Sequence, residues 1–336
     1  MAQKIRTIII DDSKFIRTLF TGLLNQTPDI EVVDTAKDPD DASAKIKRHN
    51  PDVITLDVEM SEMDGIKFLE KMMKIKPIPV LMVSKLTGEG TDITLSALEM
   101  GAIDYLIKHE DLNNYKDLDI IKEDLVSKIR IAANAQIIYN AKTKNSAPAN
   151  FEPSKNTANK IIAIGASIGG VGAIKQILSK LPSNCPPILM NLNLSEPFTK
   201  TLVNRLNTFS EVLVHTAKNG QQLKAGNAYV VPNNKCVTIE GEKINLSNAG
   251  DTSSIDSMFN SVAGFGKDSI GVILTGTGSS GVQGIAKIKT SGGFTIAQDK
   301  ASCVVYEMPK AANDSGTIDI ELPLDKIANE ILKNCV

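Results

Sequence analysis

Lys160–Gly172 reads KIIAIGASIGGVG. The apolar run Ile161–Ile164 stops at Gly165. Beyond it Ile174, Ile177, Leu178 and Leu181 recur at i, i+3, i+4 and i+7, the spacing of one helix face. A strand therefore turns into a helix across Gly165-Ala166-Ser167-Ile168-Gly169, which fits G-x-S-x-G. Glycines suit a turn too tight for side chains. A serine held at such an apex can attack a carbonyl, with backbone N–H groups holding the oxyanion. The same stretch also reads as a plain glycine turn or a phosphate-binding loop. Whether Ser167 is a nucleophile depends on a base elsewhere in the chain.

The chain has 336 residues, enough for about two domains. Its 42% hydrophobic and 23% charged content is that of a globular protein rather than a disordered one. A formal net charge of −2 gives no basic footprint for nucleic acid. No run of 18 apolar residues occurs, and MAQKIRTIIIDD lacks a signal-peptide plan, so a cytoplasmic protein without membrane insertion is expected. The four cysteines (185, 236, 303 and 335) show no C-x-x-C spacing, and only His49, His109 and His215 are present, so no zinc site is expected.

Residues 5–108 alternate strands with amphipathic helices. Strands are expected at Ile5–Ile10, Glu31–Asp34, Asp52–Leu56, Val80–Val83 and Ala102–Ile107, and Leu118–Ile131 closes as a helix. Five such repeats predict a doubly wound parallel sheet with its crevice at the strand carboxyl ends. Those ends carry Asp11-Asp12, Asp57, Ser84 and Lys108. Three carboxylates in one crevice call for a divalent cation, and an all-oxygen set suits Mg²⁺. A lysine and a serine hydroxyl can hold phosphoryl oxygens. An aspartate can itself become an acyl phosphate. The blander alternatives are a helix cap for Asp11-Asp12 and a solvated surface lysine for Lys108.

On those residues, the first 125 or so positions resemble the receiver domain of two-component response regulators, a flavodoxin-like fold. The resemblance implies Asp57 as phosphoacceptor from a histidine kinase. It implies Mg²⁺ held by Asp12, Asp57 and the Glu59 carbonyl with Asp11 nearby, and Ser84, Lys108 and Tyr105 as sensors of the phosphoryl group. The proline usual after the lysine is His109 here.

Residues 137–159, IIYNAKTKNSAPANFEPSKNTAN, lack periodicity and read as a linker between a 1–136 domain and a 160–336 domain. After the Ser167 turn, strands are expected at Pro187–Asn193, Val212–Thr216, Ala228–Val231, Ile270–Thr275, Phe294–Ala297 and Ile318–Ile320. A hairpin joins Cys236–Ile239 to Lys243–Leu246 through Glu240-Gly241. Helices are expected around Phe198–Leu206, Ile255–Val262, Ile285–Ile288 and Leu324–Leu332. A second glycine loop, Gly276-Thr277-Gly278-Ser279-Ser280-Gly281, precedes the third of these. The segments IGASIGG, PFT, GNAYVVP, SIDSMF, GVILTGTG and AQDKASCVVYEMP occur in the order found in the chemotaxis receptor methylesterases, the CheB family, which this half resembles. The implied architecture is α/β throughout, a receiver followed by a mostly parallel methylesterase-like domain. The implied partners are a chemotaxis histidine kinase and methyl-accepting chemoreceptors, and the implied reactions are glutamate methyl ester hydrolysis and glutamine deamidation.

The family's Ser-His-Asp triad maps onto Ser167, Asn193 and Ser280, because the histidine stands five residues before the Phe of PFT and the aspartate closes the glycine loop. Ile168 stands where threonine is usual. A carboxamide cannot take the serine proton, and a neutral hydroxyl cannot stabilise an imidazolium. Loss of the histidine in a serine hydrolase costs roughly a millionfold in turnover. The other candidate bases are His215, in a strand, and Glu196 near Asn193. Two readings follow: a phosphorylation-switched binding protein with little or no esterase activity, or an active esterase with substitute groups.

Overall fold

The computed structural model describes residues 3–60, 65–85, 87–108, 115–138, 151–154, 157–250 and 252–336, with backbone alone for 115–117. The chain divides into two compact units, Met1–Ala141 and Lys142–Val336.

The first unit alternates β1 (Ile5–Ile10), α1 (Lys14–Asn25), β2 (Ile30–Ala36), α2 (Pro39–His49), β3 (Val53–Asp57), α3 (Gly65–Ile75), β4 (Val80–Ser84), α4 (Gly88–Glu99), β5 (Asp104–Ile107) and α5 (Tyr115–Asn134). All strands are parallel in the order β2-β1-β3-β4-β5. Every residue of β3 and β4 is buried, as the central strands of a sheet covered on both faces must be. Local chemistry sets the helix ends. In α2 the Asp38 side chain accepts the Asp41 N–H, Asp40 and Asp41 lie in the first turn, and Lys47, Arg48 and His49 lie in the last. Asn50 ends the helix in the left-handed region.

The strand order reverses between β1 and β3. That is where a doubly wound sheet opens a crevice at its carboxyl edge, and β1 and β3 lead into Asp11 and Asp57 there.

The second unit contains β6 (Ile161–Gly165), α6 (Gly170–Leu178), β7 (Ile188–Asn191), α7 (Glu196–Leu206), β8 (Leu213–Thr216), β9 (Asn227–Val230), the pair β10 (Lys235–Glu240) and β11 (Lys243–Asn248), α8 (Ser254–Ala263), β12 (Ser269–Ile273), α9 (Val282–Thr290), β13 (Phe294–Gln298), α10 (Glu307–Asp314), β14 (Ile320–Leu322) and α11 (Leu324–Lys333). Seven strands form a parallel sheet in the order β14-β13-β12-β6-β7-β9-β8. The hairpin β10–β11, inserted in the chain between β9 and α8, stands as its own antiparallel sheet. The reversal of order falls between β12 and β6, so this unit opens its crevice beside the Ser167 turn.

Three details differ from the sequence expectations. Helix α10 has no counterpart among them. Its sequence EMPKAAND is short and carries Pro309 in its first turn, where the missing N–H does no harm, so no apolar period betrays it. The last strand is Ile320–Leu322, two residues later than expected. Thr157–Asn159 forms a turn of 3₁₀ helix, and Thr157 is buried, donating from Oγ1 to the Cys335 carbonyl at 2.7 Å. Asn184 Nδ2 likewise donates to the Phe151 carbonyl. His109 and residues 139–150, 155 and 156 of the expected linker lie outside the described residues.

Candidate functional sites

In the first unit, Asp11 and Asp57 are buried to within 1–2% of full exclusion, and Lys108 reaches both, with Nζ 2.8 Å from Asp11 Oδ2 and 2.7 Å from Asp57 Oδ2. Carboxylate oxygens of Asp11, Asp12 and Asp57 all lie within 4.8 Å of one another. The Asp57 Oδ1 accepts the Glu59 N–H at 3.0 Å. Burial pushes the Asp57 carboxyl up to about 6, with the Asp11 charge adding to it and Lys108 opposing. Burial works against the Lys108 ammonium too, but the Asp57 and Asp11 carboxylates overcome it and hold its pKa above the ordinary lysine value. The crevice thus carries more negative charge than one ammonium satisfies. Three carboxylates less one lysine leave a deficit of two charges, and the donors are all hard oxygens, so the set fits a divalent cation such as Mg²⁺.

Ser84 is buried at the end of β4, where its hydroxyl donates to the Lys85 and Gly90 carbonyls at 3.1 and 3.2 Å. The Glu59 side chain is engaged by the Lys85 ammonium and the Thr87 hydroxyl. Tyr105 is buried on β5. Lys128 from α5 donates to its carbonyl at 2.6 Å and to Asp104 at 2.9 Å, and its Nζ lies 5.1 Å from the centre of the Tyr105 ring. This clip between α5 and β5 has no local sequence signal, because its partners are 23 and 24 residues apart.

The raised Asp57 value has a stability consequence. Between the unfolded value near 3.8 and the folded value near 6, the folded state holds more protons, so stability falls as pH rises through that window. A difference of that size corresponds to about 3 kcal/mol. Asp57→Asn removes the charge. In EDTA the variant's receiver transition should therefore be more stable than the parent's by on the order of 2 kcal/mol at pH 7, with the advantage gone by about pH 4. Urea unfolding at the two pH values measures it.

In the second unit, β6 lies between β7 and β12, so the loops bearing Ser167, Asn193 and Ser280 leave the carboxyl ends of three adjacent strands. The Ser167 turn is tied to both neighbours. The Ala166 N–H donates to the Asn191 carbonyl at 2.9 Å, the Ser167 N–H to the Thr275 carbonyl at 3.0 Å, and the Thr275 hydroxyl to the Ile168 carbonyl at 2.9 Å. Ser167 precedes α6 by three residues. The helix starts at Gly170 after Gly169 (φ +80°), with no side chain capping it. A Cβ at Gly169 would fall 2.7 Å from Val304 atoms. Gly169→Ala combines that clash with left-handed strain and should destabilise the unit by about 2 kcal/mol or more in chemical denaturation. The glycine loop also comes close. A Cβ at Gly276 would meet Met308 Sδ, and Ser167 Cβ at 2.7 Å.

Asn193 is exposed and adopts φ +54°, its N–H held by the Asn191 side chain at 3.0 Å. Ser280 is half-buried in the loop before α9. His215 is not at this site. Through the register His215–Tyr229–Leu189–Ala163 it lies level with mid-β6 and three strands away, about 14 Å across the sheet. Its Nε2 is 2.8 Å from Asn227 Oδ1 and its ring stacks on Tyr229. Glu196 sits at the exposed start of α7. Two carboxylates from the SIDSMF and AQDKASCVVYEMP segments, to which the sequence reading gave no role, grip the glycine loop. Glu307 Oε2 accepts the Gly278 N–H at 2.7 Å, and Asp256 accepts the N–H groups of Gly281 at 2.9 Å and Gly284 at 2.8 Å.

A receiver fold with an acidic crevice, joined to a parallel α/β domain with a serine turn at its switch point, defines a response regulator with an α/β output domain. Residues 7–118 match the response regulator receiver domain family, and residues 162–331 match the family described as CheB methylesterase. The chain belongs to the CheB methylesterase family of chemotaxis response regulators. It is 40% identical over 339 residues to a protein-glutamate methylesterase/protein-glutamine glutaminase of Photorhabdus laumondii, covering 98% of this chain and 96% of that one. A Caulobacter vibrioides relative named protein-glutamate methylesterase/protein-glutamine glutaminase 1 is 40% identical over 346 residues, covering 98% and 97%. The crystal structure of the Thermotoga maritima CheB methylesterase catalytic domain is 34% identical, with a TM-score of 0.49, covering 52% of this chain and 97% of that one. Among the described residues no helix is long and apolar enough to cross a membrane.

Proposed function

We propose that the chain is a phosphorylation-gated chemotaxis regulator whose second domain engages receptor glutamyl side chains but hydrolyses their methyl esters weakly or not at all. The observation that carries this is Asn193. At the end of β7, beside the strand that leads to Ser167, a carboxamide stands where a general base is needed.

The receiver half of the proposal rests on the crevice. A histidine kinase presents its phosphohistidine, an oxygen of Asp57 bonds to phosphorus, and the P–N bond to the kinase histidine breaks. Lys108, already 2.7 Å from Asp57, moves its charge onto a phosphoryl oxygen. Ser84 at the end of the neighbouring strand supplies a hydroxyl, and Tyr105, on the same strand as Lys108's approach, reports the change toward α5. Asp11, Asp12, Asp57 and the Glu59 carbonyl would hold Mg²⁺, which neutralises charge that builds on the phosphoryl oxygens.

In the second domain Ser167 keeps its turn and the uncapped start of α6. A receptor glutamyl carbonyl can therefore be bound without a base to carry the reaction forward. The second reading, an active methylesterase/glutaminase with substitute groups, is favoured by the intact turn and by Glu196 and Glu307 near the crevice.

Methanol release from methylated receptor, measured with and without a phosphodonor, decides between them. Release no higher than that of Ser167→Ala is expected. Release stimulated by phosphorylation and lost in Ser167→Ala would establish the second reading.

A further inference from the structure

The glycine loop that carries Ser280 is held by a carboxylate from α8. Asp256 Oδ2 accepts the Gly281 N–H at 2.9 Å, and Oδ1 accepts the Gly284 N–H at 2.8 Å. The Gly281 nitrogen belongs to the Ser280–Gly281 peptide, so the Asp256 carboxylate lies one hydrogen bond from the main chain of Ser280. Asp256 itself lies against α9, where a Cβ on Gly284 would meet its Cα at 2.9 Å, and its neighbours Ile255 and Phe259 reach the Ser167 strand. A Cβ built on Gly165, two residues before Ser167, and a Cβ built on Gly281 would both meet Ile255 Cγ2 at 2.6 Å, and both would meet the Phe259 ring at 3.0 Å. One turn of α8 therefore fills the space between the end of β6 and the start of α9, and α8 packs on β6, β7 and β12 together. Glu307, the other carboxylate on this loop, comes from α10, which packs on β12, β13 and α9, the side away from β7 and Asn193.

We propose that Asp256 is the positioning carboxylate of this site, taking the part that a carboxylate at position 280 would take: orienting an imidazole presented from position 193. The inference rests on the placing of Asn193 and Ser280 at the hydrolytic positions. An ionised carboxylate has about four lone-pair sites. The two N–H groups of α9 use two, and a ring N–H can use a third. The start of α9 also brings its positive end to the same place. On this account the site is short of one group, the base, and not of two. Proton flow is then that of a serine hydrolase: the ring takes the Ser167 proton and returns it to the leaving alkoxide, while Asp256 stays ionised.

The test is methanol release from methylated receptor by phosphorylated full-length variants. Asn193→His alone is expected to reach within about tenfold of Asn193→His/Ser280→Asp. Adding Asp256→Asn to Asn193→His should lower kcat by about a hundredfold or more at little-changed KM, and Asp256→Glu in the same background should recover part of that loss. A gain that appears only with the Asn193→His/Ser280→Asp pair overturns the role of Asp256 and leaves the proposed function standing. So does a gain from Asn193→His that survives Asp256→Asn. Absence of gain in both the single and the paired variants overturns the placing of the two positions and the inference with it. Should Asp256→Asn melt far below its parent, the comparison of Asn193→His with the pair decides alone.

Discussion

Installing Asn193→His together with Ser280→Asp should raise methyl ester hydrolysis by about a thousandfold or more over the parent chain. The scale follows from what the two positions lack. Removal of the histidine from a serine hydrolase costs roughly a millionfold, and the oxyanion hole and binding alone keep only about a thousandfold over water. The Ser167 turn is tied to Asn191 and Thr275, α6 starts without a side-chain cap, and the glycine loop lies within contact of Ser167. The backbone admits the change. Asn193 sits at φ +54°, a conformation in which histidine, like asparagine, is tolerated better than branched residues, and the strain is about 1 kcal/mol. Initial rates of methanol release, normalised to Ser167→Ala in the same background, measure the gain. No gain would overturn the placing of these two positions in the hydrolytic site.

The second large effect belongs to the receiver. Asp57→Asn should reduce labelling by an acyl-phosphate donor to background, a loss of about a hundredfold or more, because a neutral amide oxygen does not displace phosphorus at a useful rate. Asp11 is the informative competitor. It is as buried as Asp57 and shares Lys108 with it, at 2.8 Å against 2.7 Å. Each has one oxygen fixed by a backbone N–H two residues on, Ser13 for Asp11 and Glu59 for Asp57, and the other facing Lys108, so the substitution and not the hydrogen bonding tells them apart. Acid-stable or persistent labelling in Asp57→Asn would assign the chemistry to another group. The same variant is the one expected to be more stable at neutral pH in EDTA. Loss of labelling with gain of stability is therefore the joint signature of a charged, desolvated acceptor, which simple misfolding would not produce.

Much of this molecule can be read along the chain. The strands β4, β6 and β12 are near-continuous apolar runs because both faces of each are covered, and such runs are visible without knowing what covers them. The acids and the lysine of the receiver crevice stand at strand ends, and a doubly wound sheet has its crevice there whatever the details. The Ser167 turn is legible because glycine spacing, strand and helix are all local. Helix α10 is not legible: eight residues with a proline and few apolar side chains carry too little period, and the helix is held by its contacts, such as the Met308 N–H on the Gly276 carbonyl.

By itself the sequence determined the two α/β units, the candidate acceptor Asp57 and the three positions 167, 193 and 280, because each of these depends on neighbours within a few residues or on order along the chain. Only the tertiary structure decided which groups share a site. It set Lys108 between Asp11 and Asp57, placed β6 between β7 and β12, and left His215 three strands from Ser167. It also brought Asp256 onto an amide 25 residues away. The physical reason is strand order. Hydrophobic period specifies that a segment is a strand, whereas the crossovers that choose its neighbours are settled by how the helices pack on both faces of the finished sheet.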